Sequence, residues 1–163
     1  MIQSDKFLRV LSAGILAAVV TSAAAQTPSP TQQATTPAAI GYVKTVTGQA
    51  WVTTTGQRVS AAPGTPIMIG SQLKTMAQAS LGVTFKDNTM MSFGPDTELT
   101  VDEYLYDPAQ SQLKLGTSLA RGSLNYVSGV IAKLKPEGVA VKTPTGIIGV
   151  RGTQFVALVE DVK

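Results

Sequence analysis

The sequence contains no cysteine and no histidine among its 163 residues. Their absence excludes a serine–histidine–aspartate triad, a cysteine nucleophile, a disulfide framework and a zinc site of thiolates or imidazoles, because each needs one of these side chains. Charged residues make up only 14%, and the formal net charge is +3. The basic residues are scattered singly and form no stripe that could follow a phosphate backbone, so we expect no nucleic-acid partner.

The first 25 residues have the pattern of a secretory signal peptide. Lys6 and Arg9 give a positive start, an apolar run follows, and Ala23 and Ala25 are small residues at the cleavage positions. We therefore predict that the mature chain begins at Gln26. The alternative is an uncleaved anchor, since the apolar stretch approaches the length of a spanning helix; only then would the protein be membrane-bound. Without a cysteine to carry the lipid, we expect no lipid anchor.

Residues 26–39 contain only Gln, Thr, Pro, Ser and Ala. A segment without charge or large apolar side chains cannot bury enough surface to offset the entropy lost on ordering, so we predict a disordered linker. From residue 40 to residue 163 the composition changes: short runs rich in Val, Thr, Ile and Leu are separated by glycines. This pattern predicts a single all-β domain of short strands.

The arrangement of those strands is left open between a sandwich and a solenoid-like β-roll. The string Ser-Gln-Leu-Lys occurs at residues 71–74 and again at 111–114, and a repeated strand unit would favour the roll. Only residues 129–135 could form a short helical turn. Residues 86–89, Lys-Asp-Asn-Thr, have the composition of a tight hairpin turn, because asparagine tolerates the left-handed region.

Five carboxylates cluster within twelve residues: Asp96, Glu98, Asp102, Glu103 and Asp107. Three interpretations are open. The cluster is a solvated acidic strand edge that discourages aggregation, a calcium site with Asp96, Glu98 and Asp102 as ligands, or a pair of catalytic carboxylates.

The last part of the chain, residues 139–159, holds three closely spaced glycines, and Arg151 is the only charge between Lys142 and Glu160. Gly146, Gly149 and Gly152 allow bends or close backbone approach, and Arg151 lies among Ile, Val and Phe. An unpaired buried guanidinium is costly, so we interpret Arg151 as a structural clamp that binds carbonyls or a carboxylate. The alternative is that Arg151 recognises a ligand.

This closing stretch closely resembles the ending motif of the FecR-type periplasmic domain. Earlier features agree in order, including Gly48 and Trp51, the hairpin at 86–89 and residues 119–124. Asn88 departs from the glycine often found there, and Thr145-Gly146 replaces a commoner small apolar pair. The residues that carry the motif, all interpreted as structural, are Thr143, Pro144, Gly149, Arg151, Gly152, Thr153 and Phe155.

The resemblance implies a role in the bacterial cell envelope. FecR-like regulators couple a periplasmic domain through a membrane helix to a cytoplasmic anti-sigma segment, and they contact the signalling domain of an outer-membrane receptor. This sequence shows no cytoplasmic segment, so we expect an isolated FecR-like module, periplasmic or secreted. We predict a non-enzymatic protein without a cofactor that senses or binds another envelope protein. The alternative is an envelope protein that binds a small molecule, a glycan or calcium.

Overall fold

The computed structural model describes residues 38–152 and 154–160, which form twelve strands and one short helix. The predicted signal peptide and most of the predicted linker lie outside these residues and stay predictions. The strands are β1 Gly41–Thr47, β2 Ala50–Thr54, β3 Gln57–Ser60, β4 Pro66–Ile67, β5 Gln72–Thr75, β6 Ser80–Phe85, β7 Met90–Phe93, β8 Glu98–Asp107, β9 Gln112–Val127, β10 Val139–Thr143, β11 Gly146–Gly149 and β12 Gln154–Val159.

Helix α1 spans Val130–Leu134, and two short 3₁₀ turns span Pro108–Gln110 and Pro136–Gly138. The helix falls within the only segment for which the sequence predicted helical structure. No helix in the described part of the chain is long and apolar enough to cross a membrane.

The strands join in one curled sheet, which confirms the all-β prediction. The main path runs β3-β2-β5-β8-β9-β7-β6-β1-β4. Strand β9 is the centre of both halves: its first part pairs with β8 and with the parallel β10, and its second part pairs with β7 and β12. The sequence left open whether the strands form a sandwich or a β-roll. The described strands form a single sheet whose two halves share the long strand β9.

Strand β9 changes partners at Gly122, which has a φ of +87°. A Cβ at this position would overlap Thr97, so no other residue fits the bend. The Thr97 hydroxyl donates to the carbonyl of Gly94 (2.9 Å) and accepts the backbone N–H of Ser123 (3.0 Å). The threonine thus ties the chain just after the bend to the segment that precedes β8.

The two copies of Ser-Gln-Leu-Lys do not form a repeated unit. Ser71 is fully buried before β5, where its hydroxyl accepts the backbone N–H of Met68. Ser111 is exposed with a φ of 55° and ends a 3₁₀ turn before β9. The same string occupies different environments because tertiary packing outside it decides its burial.

One core fills the inside of the curled sheet. Buried residues follow the alternation of the strands, as in β6, where Leu81, Val83 and Phe85 point inward. The rings of Phe85 and Tyr104 stack with centroids 5.7 Å apart, which joins the two halves of the sheet.

The predicted hairpin turn forms between β6 and β7, with Asn88 at a φ of +64°. Its neighbour Asp87 is fully buried. The backbone carbonyl of Asp87 accepts the N–H of Val130 (2.7 Å), and its carboxylate accepts the N–H of Ile131 (3.3 Å). This turn therefore anchors the start of α1, from which the chain leads into the closing strands.

Candidate interaction surface

The closing part of the chain is built on strand β9. Strand β10 lies parallel to β9 and forms a hairpin with β11, whose turn includes Pro144. The Thr143 hydroxyl donates to the carbonyl of Gly146 (3.0 Å), which closes this turn. Gly149 ends β11, and a Cβ there would meet no other atom within 4 Å. Of the motif residues, Thr143 and Pro144 thus lie at the turn of this hairpin.

The segment after β11 is attached through its backbone and one aromatic ring. The Ser128 hydroxyl donates to the carbonyl of Gly152 (2.6 Å), and Gly152 has a φ of +139°. Phe155 stacks on the buried ring of Tyr126, with centroids 5.0 Å apart. Thr153 lies outside the described residues.

Arg151 does not act as the buried clamp that the sequence suggested. Its side chain is exposed, and within residues 38–152 and 154–160 it forms no hydrogen bond or ion pair. The physical reason is that Val150 takes the inward position at this turn, with 4% exposure. The turn is held instead by the bond between Ser128 and Gly152, so the guanidinium is available at the surface.

A shallow cleft of about 430 Å³ lies beside the turn. Strand β11 contributes one wall, and its Ile147 is 71% exposed. Because β11 pairs only with β10 in the described structure, its other edge presents unpaired backbone groups. The lining residues are Pro136, Glu137, Val139, Ala140, Ile147, Gly149, Val150 and Arg151.

Strand β12 is a second free edge, because within the described chain it pairs only with β9. Its residues alternate: Ala157 points into the core, while Val156 and Leu158 are 70% and 68% exposed. The sheet therefore leaves two apolar strand edges open in the closing part of the chain.

The acidic cluster is divided along the chain: Asp96 precedes β8, Glu98 lies where β8 is paired on both sides, and Asp102, Glu103 and Asp107 lie where it is paired on one side. Only the start of β8 lies between two strands, since β5 pairs with Glu98, Leu99 and Thr100, and the rest of β8 pairs with β9 alone among the described residues. No group of three described acidic residues is arranged to hold an ion. Glu98 pairs with Lys74 (3.4 Å) and with Arg121 (3.7 Å). Asp96 is separated from it in the preceding turn, at a φ of 49°.

The third suggested ligand, Asp102, accepts the Ser118 hydroxyl (2.6 Å) and pairs with Lys142 (3.7 Å). Its carboxylate therefore takes part in bonds to neighbouring strands. Sequence spacing grouped these residues, but strand pairing brings a basic side chain against each of Glu98 and Asp102. Lys114 likewise forms an ion pair with Glu103 (2.7 Å), and this contact lowers the pKa of the glutamate.

Two buried tyrosines have raised pKa values. Burial raises the pKa of Tyr126 to about 12, and the negative charge of Asp87 adds to the rise. Burial is also the main cause of the raised pKa of Tyr104, again with a contribution from Asp87. Both phenols are therefore neutral over the physiological range.

Sequence reasoning missed the residues that hold and expose this surface. Asp87 and Ser128 have no sequence signal that separates them from ordinary polar residues. The alternation of β12 is visible in the sequence, but alternation alone does not reveal that the outward face and the outer edge are both uncovered. The sequence did contain one signal for this open edge. Residues 154–159 carry no charge, which is unusual for an edge strand.

The fold and the surface define an all-β domain with open strand edges and no described metal cluster. A family model described as FecR protein matches residues 71–163, which is more than half of the chain. The chain belongs to the FecR family, as its closing motif indicated. No curated protein and no solved structure gave a significant match.

Proposed function

We propose that this protein is an exported sensing or regulatory module of the cell envelope that works by binding another envelope protein, without catalysing a reaction. Membership of the FecR family supports an envelope role. The predicted signal peptide supports a periplasmic or secreted location. The lack of cysteine and histidine supports a binding role, because it removes the commonest catalytic groups.

The single observation that carries the binding role is the free edge of β11 beside the cleft. An extended segment of a partner can add to such an edge through backbone hydrogen bonds, and alternate side chains give specificity. Ile147 offers an apolar contact next to this edge, and Ala140 and Val139 continue the apolar lining. The partner segment we propose is therefore an extended strand with an apolar side chain facing Ile147.

The experiment places a photo-reactive amino acid at Ile147 in the exported protein and crosslinks it in intact cells. The matched control site is Met90, which is also exposed and apolar but lies on β7, a strand paired on both sides. We expect a discrete crosslinked product containing a second, different protein from position 147 and none from position 90.

The substitution Ile147→Lys should remove that product when the probe is moved to Ala140 in the same cleft. Val156→Lys on β12 is the control and should leave the product unchanged. Equal crosslinking from positions 147 and 90, or a product insensitive to Ile147→Lys, would count against a partner at β11.

A further inference from the structure

The two ends of the main strand path form the walls of one cavity. The path ends in β3 on one side and in β4 on the other. Residues of the β2–β3 hairpin and of the segment 65–68 line a cavity of about 360 Å³ between them. No residue of this cavity lines the cleft beside β11, so it is a separate candidate site.

One wall of the cavity belongs to the core of the protein. Val52 on β2 lies directly opposite Val59 on β3, and opposite residues of an antiparallel pair share a face. Val52 is 1% exposed, whereas Val59 is 47% exposed although it points to the same inner side. Because β3 is the last strand of the path, the apolar interior of the curled sheet continues to the surface here.

No charged side chain of the described residues lines this cavity. Arg58 is next to Val59 in the sequence, but the alternation of β3 turns it to the outer side, where its guanidinium lies over the Trp51 ring at 4.3 Å. The cleft beside β11, by contrast, contains Glu137 and Arg151. A charged ligand group would lose water in this cavity without gaining an ionic partner, so the cavity suits an uncharged ligand.

One polar side chain of the lining has its hydrogen-bonding groups available. The three lining threonines use their hydroxyls in bonds within the chain, which join Thr54 to the Ser71 hydroxyl (2.6 Å), Thr55 to the Thr54 carbonyl (2.8 Å) and Thr65 to the N–H of Ala62 (3.0 Å). Gln57 lies opposite Thr54 on the inner side, and its side chain forms no hydrogen bond with any described residue. Its amide both donates and accepts, so it can bind an uncharged polar group such as a hydroxyl or an ester.

The size and the walls of the cavity favour a small molecule over a strand of another protein. Its volume lies in the range of small-molecule pockets, about 300–1,000 Å³, and near the lower end, which suits a single hydrocarbon chain. Strand β4 has only two residues, and Pro66 has no N–H to offer an added strand.

We propose that this cavity binds a single-chain apolar molecule, with its hydrocarbon chain against Val52 and Val59 and an uncharged polar end at Gln57. Binding is driven by the apolar surface that the chain and Val59 remove from water. The site consists of residues 52–68, whereas the proposed binding of another protein uses β11. The two proposals can therefore fail separately.

The first test is a displacement titration of the exported protein. The fluorescent probe N-phenylnaphthylamine is uncharged and apolar, and we expect it to bind saturably and to be displaced by decanol. Decanoate, which has a chain of the same length with a charged end, should displace the probe about tenfold less effectively. An absence of saturable binding, or equal displacement by decanol and decanoate, would overturn the proposal.

The second test locates the hydrocarbon chain. Val59→Phe fills the cavity with an apolar side chain and keeps a high strand propensity, so it should fold and should weaken the binding of probe and decanol at least tenfold. Ile69→Phe is the matched control, because Ile69 is 51% exposed and does not line the cavity. Unchanged binding in Val59→Phe, or an equal loss in both variants, would contradict the placement of the chain.

The third test locates the polar end and leaves the apolar walls intact. Gln57→Lys puts a cation at this end, so decanoate should bind more tightly than decanol, which reverses the preference of the unchanged protein. Ser60→Lys is the control on the same strand: Ser60 lies opposite Trp51 on the outer side, and the variant should keep the preference for decanol. A preference unchanged in Gln57→Lys, or reversed in both variants, would place the polar end elsewhere.

Flotation with phosphatidylcholine vesicles distinguishes a free single-chain ligand from a membrane lipid. We expect the protein to remain unbound to the vesicles. Co-flotation that Val59→Phe abolishes would overturn the single-chain ligand in favour of a two-chain lipid.

Discussion

The hydroxyl of Tyr104 donates a hydrogen bond to the carboxylate of Asp87 (3.2 Å) and accepts the backbone N–H of the same residue (3.0 Å). The other carboxylate oxygen of Asp87 accepts the Thr89 hydroxyl (2.6 Å). Thr89 in turn accepts the N–H of Gly129 (3.2 Å). Among the described residues this buried carboxyl group has hydrogen-bond donors as its partners and no cation. It links β8, the hairpin and the start of α1.

Asp87→Ala should lower the free energy of unfolding by about 3 kcal/mol or more, because it leaves several buried donors unpaired. Asp87→Asn retains one acceptor oxygen and should lose less. The measurement is denaturant unfolding followed by tryptophan fluorescence. Asp96→Asn is the control: Asp96 lies in an exposed turn, and asparagine tolerates its φ of 49°. Equal effects at positions 87 and 96 would contradict the role of the buried carboxylate.

The raised pKa of Tyr126 predicts a loss of stability in alkaline solution. Above about pH 10 the unfolded chain releases the phenolic proton while the folded chain keeps it, so the unfolded state is favoured as pH rises. The loss is about 1.4 kcal/mol per pH unit from this residue and ends near its folded pKa of about 12. The raised pKa of Tyr104 adds a further loss of stability as the pH rises.

The measurement is the free energy of unfolding of the protein and of Tyr126→Phe between pH 9 and pH 12. The phenylalanine variant keeps the stacking on Phe155 but has no proton to release, so its stability should fall less steeply. Parallel curves for the two proteins would show that Tyr126 ionises with the same pKa in both states.

Gly152→Val should destabilise the protein by about 1–3 kcal/mol, because a β-branched residue resists a φ of +139°. Apart from its chain neighbours, no atom of the described residues lies within 4 Å of a Cβ at this position, so the cost is conformational and not a clash. Gly149→Val is the matched control, since it is equally open but lies in strand β11, where valine is favoured. Thermal unfolding of the two variants should separate them clearly. Similar melting temperatures would mean that the closing turn relaxes without cost.

Arg151→Ala should leave the free energy of unfolding within about 0.5 kcal/mol of the original, as for other surface substitutions. The side chain is exposed and forms no ion pair with any described residue. The free energy of unfolding is measured at high dilution. A loss of several kcal/mol would instead support the interpretation of Arg151 as a structural clamp.

The all-β class, the hairpin at residues 86–89 and the short helix were predictable because they depend on local signals. Alternation, glycine punctuation and the tolerance of Asn88 for positive φ act within a few residues of the chain. The closing motif is equally local, and its residues alone were enough to indicate the family.

The environment of individual polar residues was not predictable in the same way. Asp102 and Lys142 are forty positions apart, and their pairing depends on β10 lying parallel to β9 beside β8. The burial of Asp87 likewise depends on Tyr104 and α1 closing over the hairpin. Contacts of this kind involve strand order, which a single sequence does not encode in any short pattern.

The amino-acid sequence by itself determined the strand-rich class, the turn at Asn88 and the FecR motif, because backbone preferences and side-chain alternation are local properties. Only the tertiary structure decided that Arg151 faces solvent while Val150 is buried, and that among the described residues β12 pairs with β9 alone. The physical reason is that exposure depends on what packs against a residue. For β12 that is decided by the bend of β9 at Gly122 and by the bond from Ser128 to Gly152.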